Sequence, residues 1–95
     1  MKYELEIKEE VNQEIVAAYL YYEEKKEGLG ERFLEHFKIY IDRLTNFPEH
    51  YAIKRSPYRE AFIKKFPYLI VYQFTGEKVI VYAVFNTRQN PIKKP

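Results

Sequence analysis

The pattern of apolar residues changes abruptly at Pro48, and this change limits the folds that the chain can adopt. Before Pro48 most apolar residues recur every three or four positions, the spacing that places them on one face of a helix. After Pro48 the chain is rich in aromatic and β-branched residues, in short runs separated by turn residues, as in strands. Helices followed by several strands are typical of an α+β fold with a helix layer on a sheet.

The N-terminal half contains one predicted strand and two predicted helices. Residues 3–7 alternate apolar and charged side chains, the pattern of a strand with one buried face. Asn12 is a good N-cap and predicts a helix over 12–27. Two glycines then interrupt the helical pattern, and a second helix is predicted over 31–45. Two helices joined by so short a link should form an antiparallel hairpin.

The remaining predicted strands form an antiparallel meander of three to four strands. Their bounds are residues 51–54, 58–64, 68–74 and 79–85. The last of them is continuously apolar, which predicts an interior strand covered on both faces. Because the chain has no tryptophan and one methionine, aromatic side chains must fill most of the core. The side chains expected there are Phe33, Phe37, Phe62, Phe74, Phe85, Tyr19 and Tyr72.

Length and composition predict one small domain over residues 1–95. The chain has no cysteine, which excludes disulfides, thiolate metal sites and a cysteine nucleophile and fits a reducing cytoplasm. Its longest apolar run, residues 79–85, is far shorter than the roughly 20 residues of a membrane span. The N-terminus has no signal-peptide hydrophobic stretch. We therefore expect a cytoplasmic protein with no membrane partner.

No residue pattern marks a metal or cofactor site or a nucleophilic triad. His36 and His50 are the only histidines, and their separation of fourteen positions does not resemble a ligand spacing. Ser56 is the only serine and Asp42 the only aspartate. None of the three glycines precedes a Lys-Ser or Lys-Thr pair, so no phosphate-binding loop is present. We expect neither a metal nor a cofactor.

Charge divides the chain into two parts of opposite sign. Residues 1–50 contain seven Lys or Arg against twelve Asp or Glu, whereas residues 51–95 contain nine against two. A basic half favours a polyanion or an acidic protein segment as partner. The alternative is that acidic helix faces merely offset basic strands within one fold.

The candidate binding residues lie on or beside the predicted strands. Arg59 and Arg88 are also candidates for stabilising charge at a phosphate, because neighbouring antiparallel strands can bring such residues together. The alternatives are a basic sheet face that docks an acidic peptide, and a single-strand nucleic-acid binder that adds exposed tyrosines for stacking. The aromatic residues expected to be exposed are Tyr51, Tyr58 and Tyr68. The full candidate set is Lys54, Arg55, Arg59, Lys64, Lys65, Tyr68 and Arg88.

The C-terminal part of the chain carries a specific combination of motifs. Arg59 precedes a Phe-Pro-Tyr step at residues 66–68, the strand LIVYQF ends in a hairpin, VIVYAVF follows, and Arg88 is followed by Pro91. With these features residues 59–91 resemble the RelE/ParE superfamily of toxins from bacterial type II toxin-antitoxin (plasmid stabilisation) modules. The resemblance reaches most of the chain and implies a strand, two helices and an antiparallel sheet, in agreement with the periodicity.

The resemblance also implies a function. Such proteins are small cytoplasmic toxins that inhibit bacterial growth, and a cognate antitoxin neutralises them by wrapping its C-terminal segment around them. RelE-like members are ribosome-dependent, metal-free mRNA endonucleases, in which basic side chains and a C-terminal tyrosine surround the phosphate. ParE-like members poison DNA gyrase and need no catalytic constellation.

The positions at which this sequence differs from the RelE-like and ParE-like patterns decide which of the two branches we predict. Arg88 matches the arginine after the last strand, but Leu69 stands where RelE-like enzymes place another arginine, and no tyrosine follows Tyr82. The Phe-Pro-Tyr step and the Arg-x-x-Pro ending are closer to ParE-like members, although Asn86 replaces the histidine that ends the last strand in many relatives. We predict a ParE-like toxin that acts by binding. The alternatives are a RelE-like nuclease and an inactive member that only binds antitoxin.

Overall fold

The computed structural model describes residues 2–88, which form two helices and five strands. The predicted α+β order, a strand, a helical hairpin and a strand meander, is confirmed, and the meander has four strands. Pro91 lies outside the described residues. In chain order the elements are β1 (Glu4–Ile7), α1 (Glu9–Lys25), α2 (Leu29–Asn46), β2 (Ile53–Arg55), β3 (Tyr58–Ile63), β4 (Tyr68–Phe74) and β5 (Lys78–Asn86).

The five strands form one sheet in the order β1-β5-β4-β3-β2. The strands β2 to β5 are antiparallel neighbours joined by short turns. In contrast, β1 lies parallel to β5, with Leu5 opposite Val79. A parallel pair needs a long connection, and here the helical hairpin and the rest of the meander supply it. β5 is therefore an interior strand, as its continuous apolarity predicted.

The first helix begins earlier than the sequence predicted. α1 starts at Glu9, so the expectation that Asn12 is the N-cap is wrong. The Lys8 N–H donates to the Val81 carbonyl, while the Lys8 carbonyl accepts from the Val11 N–H. The helix therefore begins as soon as the chain leaves β1. Acidic residues in its first turn favour this start, because they interact well with the positive end of the helix dipole.

A glutamate near the end of α1 closes the turn between the helices. Glu23 Oε2 accepts from the Gly28 N–H and Oε1 accepts from the Gly30 N–H, each at 2.9 Å. Gly28 has φ +88°, a left-handed conformation that glycine adopts without steric cost. At Gly30 an added Cβ would lie 2.6 Å from the Tyr19 carbonyl oxygen, so the glycine allows the helices to approach. α2 thus begins at Leu29, two residues before the predicted start.

The main hydrophobic core lies between the helical hairpin and one face of the sheet. Its aromatic composition is confirmed: the ring centroid of Phe33 lies 5.6 Å from that of Tyr22 and 5.1 Å from that of Tyr68. Tyr72 is fully buried, and its hydroxyl donates to the Pro48 carbonyl at 2.6 Å. This hydrogen bond satisfies a polar group that would otherwise be costly to bury.

A smaller apolar cluster, which includes Leu69 and Phe85, lies on the opposite face of the sheet. Phe62 pairs with Leu69 in the register and is 50% exposed. The prediction that Phe62 is a core residue is therefore wrong. Successive residues of a strand point to opposite faces, so Ala61 and Ile63 face the helices and Phe62 faces away from them.

Candidate functional site

The strand register separates the predicted basic residues into two groups. Arg59 lies near the start of β3, whereas Ile63 at the other end of β3 pairs with Tyr68, which pairs with Asn86 at the end of β5. Arg88 lies two residues after Asn86. Four residues of strand, about 13 Å, therefore separate Arg59 from the level of Asn86. The expectation that antiparallel pairing brings the two arginines together is wrong.

The first group lies where the β3–β4 turn meets the end of β5. Thr87 donates from its N–H and its Oγ1 to the Pro67 carbonyl, at 2.8 and 3.1 Å. The Arg88 N–H donates to Asn86 Oδ1 at 2.8 Å. These bonds hold the segment after β5 beside the turn. We refer to the three exposed cations of this region as the Arg88 group: Lys64, Lys65 and Arg88.

Two tyrosine rings pack together close to the end of β5, Tyr22 from α1 and Tyr68 from β4. Tyr68 is only 7% exposed, and its ring centroid lies 6.1 Å from that of Tyr22. The expectation that Tyr68 is exposed is wrong, because strand alternation places it on the helix-facing side together with Ile70 and Tyr72. Its part in binding a partner stays a prediction.

Both of these tyrosines are neutral at physiological pH. Burial raises the pKa of Tyr22 to about 12, and the positive charge of Arg88 acts in the opposite direction. Burial also raises the pKa of Tyr68, and a hydrogen bond with Asn86 partly offsets that rise. A neutral phenol donates a hydrogen bond but is a poor base. The cations of the Arg88 group therefore supply the charge of this region, and the two tyrosines beside them add no negative charge.

The second group lies on β2, the outermost strand. All three residues of β2 are exposed, and the strand pairs irregularly with β3, with Ile53 opposite Arg59. The strand predicted over 51–54 begins at Ile53 instead, because Tyr51 lies in the preceding loop. An outermost strand presents unpaired backbone groups to a partner. We refer to its two cations as the β2 edge: Lys54 and Arg55.

The Arg59 side chain holds the loop that precedes β2 through a hydrogen bond. Its Nη1 donates to the Tyr51 carbonyl at 2.7 Å, and the side chain is half-buried. The hydrogen bond from the Tyr72 hydroxyl to the Pro48 carbonyl holds the same loop at a second position. The Arg59 guanidinium therefore positions the β2 edge, and one of its donors is already used within the chain.

The comparisons with known proteins agree with this architecture. Residues 5–91 match the family model described as the ParE toxin of the type II toxin-antitoxin system parDE. The chain belongs to the ParE toxin family. A solved structure described as a chromosomal ParDE TA system from P. aeruginosa is similar with a TM-score of 0.78 and 10% sequence identity, over 90% of this chain and 96% of that chain. At this identity the likeness concerns the fold alone. A search of curated proteins gave no match.

This ParE family member also has site residues that the sequence did not reveal. Glu14 Oε1 accepts from the Val84 N–H at 3.2 Å. Because β1 ends at Ile7, opposite Val81, the Val84 N–H lies beyond the reach of β1, and α1 supplies the acceptor. Asn86 accepts the hydrogen bond that orients the backbone of Arg88. No local pattern marks the contact between Glu14 and Val84, which lie 70 positions apart.

Residues 2–88 of this ParE family member contain no group of three or more His, Cys, Asp or Glu that could hold a metal ion. His36 lies against Phe66, with ring centroids 5.5 Å apart, and its Nδ1 is 2.8 Å from the Arg32 carbonyl oxygen. Ser56 is exposed in the connection between β2 and β3. Within the same described range, no helix is both long and apolar enough to cross a membrane.

Proposed function

We propose that this ParE family member is the toxin of a bacterial type II module, that it acts in the cytoplasm by binding a target such as DNA gyrase, and that a cognate antitoxin neutralises it. The observation that carries the proposal is the arrangement of the cations. The β2 edge lies beside the start of β3, whereas the Arg88 group lies beyond the other end of β3, about 13 Å further along the strand. Two separate basic surfaces allow two acidic partners, a target and an antitoxin, to bind at different places on the protein.

The chemistry around Arg88 favours binding over RNA cleavage. Attack of a 2′-hydroxyl on a phosphate needs a base and an acid near the reacting atoms. Tyr22 and Tyr68 have raised pKa values and so are poor bases at neutral pH. Leu69, which stands where the RelE-like branch places an arginine, is buried on the far face of the sheet. Arg59, the other candidate, is engaged with the Tyr51 carbonyl.

The β2 edge is the surface that we assign to the antitoxin. An extended peptide can add a strand to an exposed sheet edge, where backbone hydrogen bonds supply affinity and side chains supply specificity. Lys54 and Arg55 would attract acidic residues of such a segment. This assignment leaves the Arg88 group for the cellular target.

To test the proposed function, the chain is expressed from a repressed promoter in a bacterium. Growth, DNA supercoiling and transcript ends are measured in the same cultures. We expect growth arrest with altered supercoiling or DNA breaks. Replacing the Arg88 group by alanine should abolish arrest, because its three charges would be lost from one surface. Lys38→Ala, which removes an exposed cation from α2, is the control and should leave arrest unchanged. A purified antitoxin should lose roughly 2- to 30-fold in affinity for the Lys54→Ala/Arg55→Ala variant.

Each other result selects a different function. Codon-phased transcript cuts that disappear in Arg88→Ala would establish the RelE-like nuclease instead. Soluble protein without growth arrest, which still binds antitoxin, would identify an inactive member. Salt-dependent binding of oligonucleotides without arrest would favour a single-strand nucleic-acid binder.

A further inference from the structure

The segment between α2 and β2 carries a large apolar side chain that the core does not explain. Phe47, the C-cap of α2, is 67% exposed, the highest value among the bulky apolar residues of the described range. Its backbone is nevertheless fixed, because its N–H donates to the Arg43 carbonyl at 2.8 Å and its carbonyl accepts from the His50 N–H at 3.0 Å. A single exposed apolar residue is common, so its meaning depends on what surrounds it.

The rest of this segment is held against the sheet by hydrogen bonds to its backbone. The Tyr3 N–H donates to the Thr45 carbonyl at 2.8 Å, and the carbonyls of Pro48 and Tyr51 each accept from a side chain of the sheet. The fold therefore sets the exposed position of Phe47 before any partner binds. A site that is already ordered loses less conformational entropy when a ligand binds.

Two neighbouring cavities share the Phe47 side chain. The larger, of about 360 Å³, is lined by Tyr3, Asn46, Phe47, Pro48, Glu49 and His50. The smaller, of about 240 Å³, is lined by Arg43, Phe47 and His50. Because two residues line both cavities, one ligand can span them, and sites for small molecules have volumes of about 300–1,000 Å³. None of the lining residues belongs to the Arg88 group or the β2 edge.

The smaller cavity has the chemistry of an anion site. Its polar side chains are the Arg43 guanidinium and the His50 imidazole, both of which can donate hydrogen bonds, and no carboxylate of residues 2–88 lines it. The Arg43 guanidinium lies 5.1 Å from the centre of the Tyr40 ring, which holds it close to α2. A guanidinium can bind a phosphate through two parallel hydrogen bonds.

The larger cavity has the chemistry of a site for a flat ring with hydrogen-bond donors. Tyr3, Phe47 and Pro48 supply apolar surfaces, on which a base can stack. Asn46 Nδ2 donates to a backbone carbonyl of α2 at 2.8 Å, and its Oδ1 is an acceptor, as is the Glu49 carboxylate. These acceptors select a ring that carries N–H groups. Guanine presents adjacent N–H donors on one edge, which a carboxylate can accept together.

We propose that the two cavities form a binding site for a guanine nucleotide. The base would stack on Phe47 with its N–H edge toward Glu49, and the phosphate would lie between Arg43 and His50. Binding is reversible and forms no covalent bond. The site is additional to the two basic surfaces of the proposed function and does not depend on them.

The test titrates the purified chain with guanosine 5′-monophosphate at physiological salt, by calorimetry and by NMR of isotopically labelled protein. Guanosine lacks the phosphate and ribose 5-phosphate lacks the base, so each compound probes one half of the site. We expect saturable binding of the nucleotide, with both halves at least about tenfold weaker. Adenosine 5′-monophosphate, which has an acceptor where guanine has a donor, should bind at least about fivefold more weakly. The amide signals that move should lie in residues 43–50.

Single substitutions separate the two cavities. Phe47→Ala should weaken the nucleotide and guanosine at least about fivefold, because stacking on the ring is lost. Arg43→Gln should weaken the nucleotide by a similar factor but leave guanosine unchanged, because it removes only a phosphate contact. The matched controls are Phe62→Ala, a half-exposed ring on the far face of the sheet, and Arg32→Gln, an exposed cation on α2. Neither lines a cavity, and neither should change binding. Circular dichroism checks that each variant is folded.

Any of five results would overturn the proposal. They are no saturable binding up to about 10 mM nucleotide, ribose 5-phosphate binding as tightly as the nucleotide, equal binding of the adenine and guanine nucleotides, undiminished binding to Phe47→Ala, and a guanine-rich oligonucleotide that binds more tightly than the nucleotide. The second would reveal a general anion site, and the last would make a nucleic-acid strand the ligand. None of them depends on growth arrest, so failure here is distinguishable from failure of the proposed function.

Discussion

At the scale of single residues, one carboxylate organises the turn of the helical hairpin. Glu23 accepts hydrogen bonds from the N–H groups of Gly28 and Gly30, at the start of α2, where backbone N–H groups lack helical partners. The two glycines are required for different reasons. Gly28 is needed for its left-handed backbone, whereas Gly30 is needed because the Tyr19 carbonyl leaves no room for a Cβ.

The difference between the glycines gives a prediction. Gly30→Ala should lower the free energy of unfolding by roughly 1–3 kcal/mol, because the added methyl group forces the helices apart. Gly28→Asn should cost about 1 kcal/mol or less, because asparagine tolerates the left-handed conformation and nothing lies within 4 Å of its Cβ. Urea unfolding followed by circular dichroism measures both. Equal losses at the two positions would contradict the assignment of Gly30 to close helix contact.

At the scale of elements, β1 is a short strand that needs side-chain support at the edge of the sheet. Glu6 Oε1 lies 2.8 Å from Lys78 Nζ of β5, and Glu6 Oε2 lies 3.2 Å from Lys8 Nζ. Hydrogen bonds from Lys78 and then Lys8 lower the pKa of Glu6 below its ordinary value of 4.5. The pKa of Lys78 is raised above 10.5, first by its hydrogen bond to Glu6.

These shifts predict how the contribution of β1 depends on pH. Because the pKa of Glu6 is lower in the folded state, its stabilisation is present above pH 4.5 and is lost as the pH falls through the folded pKa. Glu6→Gln should therefore unfold at a lower temperature than the wild type at pH 7, with the difference shrinking in acid. Glu77→Gln, in the exposed β4–β5 turn, controls for the lost charge. A difference that persists below the folded pKa would contradict a charge-based role.

At the scale of the whole molecule, the fold depends on a core rich in tyrosine. The pKa values of Tyr22, Tyr68 and Tyr72 are all raised, chiefly by burial, and that of Tyr22 reaches about 12. Their ordinary value is 10.0, so the unfolded chain loses these protons before the folded chain does. Their stabilisation is therefore full below pH 10 and is lost as the pH rises through the folded values.

Alkaline unfolding tests this property of the core. The wild type should lose stability steeply between pH 10 and about 12. Tyr22→Phe should show a shallower loss over the same interval, because one of the protons released on unfolding is absent. Tyr21→Phe removes an exposed hydroxyl from the neighbouring position and is the matched control. Denaturant unfolding at several pH values measures the slopes, and equal slopes for the two variants would reject the role of Tyr22.

The order of the elements followed from the sequence alone, because periodicity is a local property. The bounds of β4 were predicted without error, since the Phe-Pro-Tyr step and the turn at Gly76 limit it on both sides. The start of α1 was not predicted, because its first turn depends on where β1 pairs with β5. The motifs around Arg59 and Arg88 also sufficed to indicate the ParE family.

The arrangement of the site was decided only by the tertiary structure. The spacing of Arg59 and Arg88 depends on the register of three strands, and the burial of Tyr68 depends on which face the helices cover. The contact between Glu14 and Val84 joins residues 70 positions apart. Local preferences specify which backbone conformation each segment adopts, whereas register, sheet order and the covered face depend on packing between distant segments. For this reason the sequence identified the basic residues, and only the fold divided them between two surfaces.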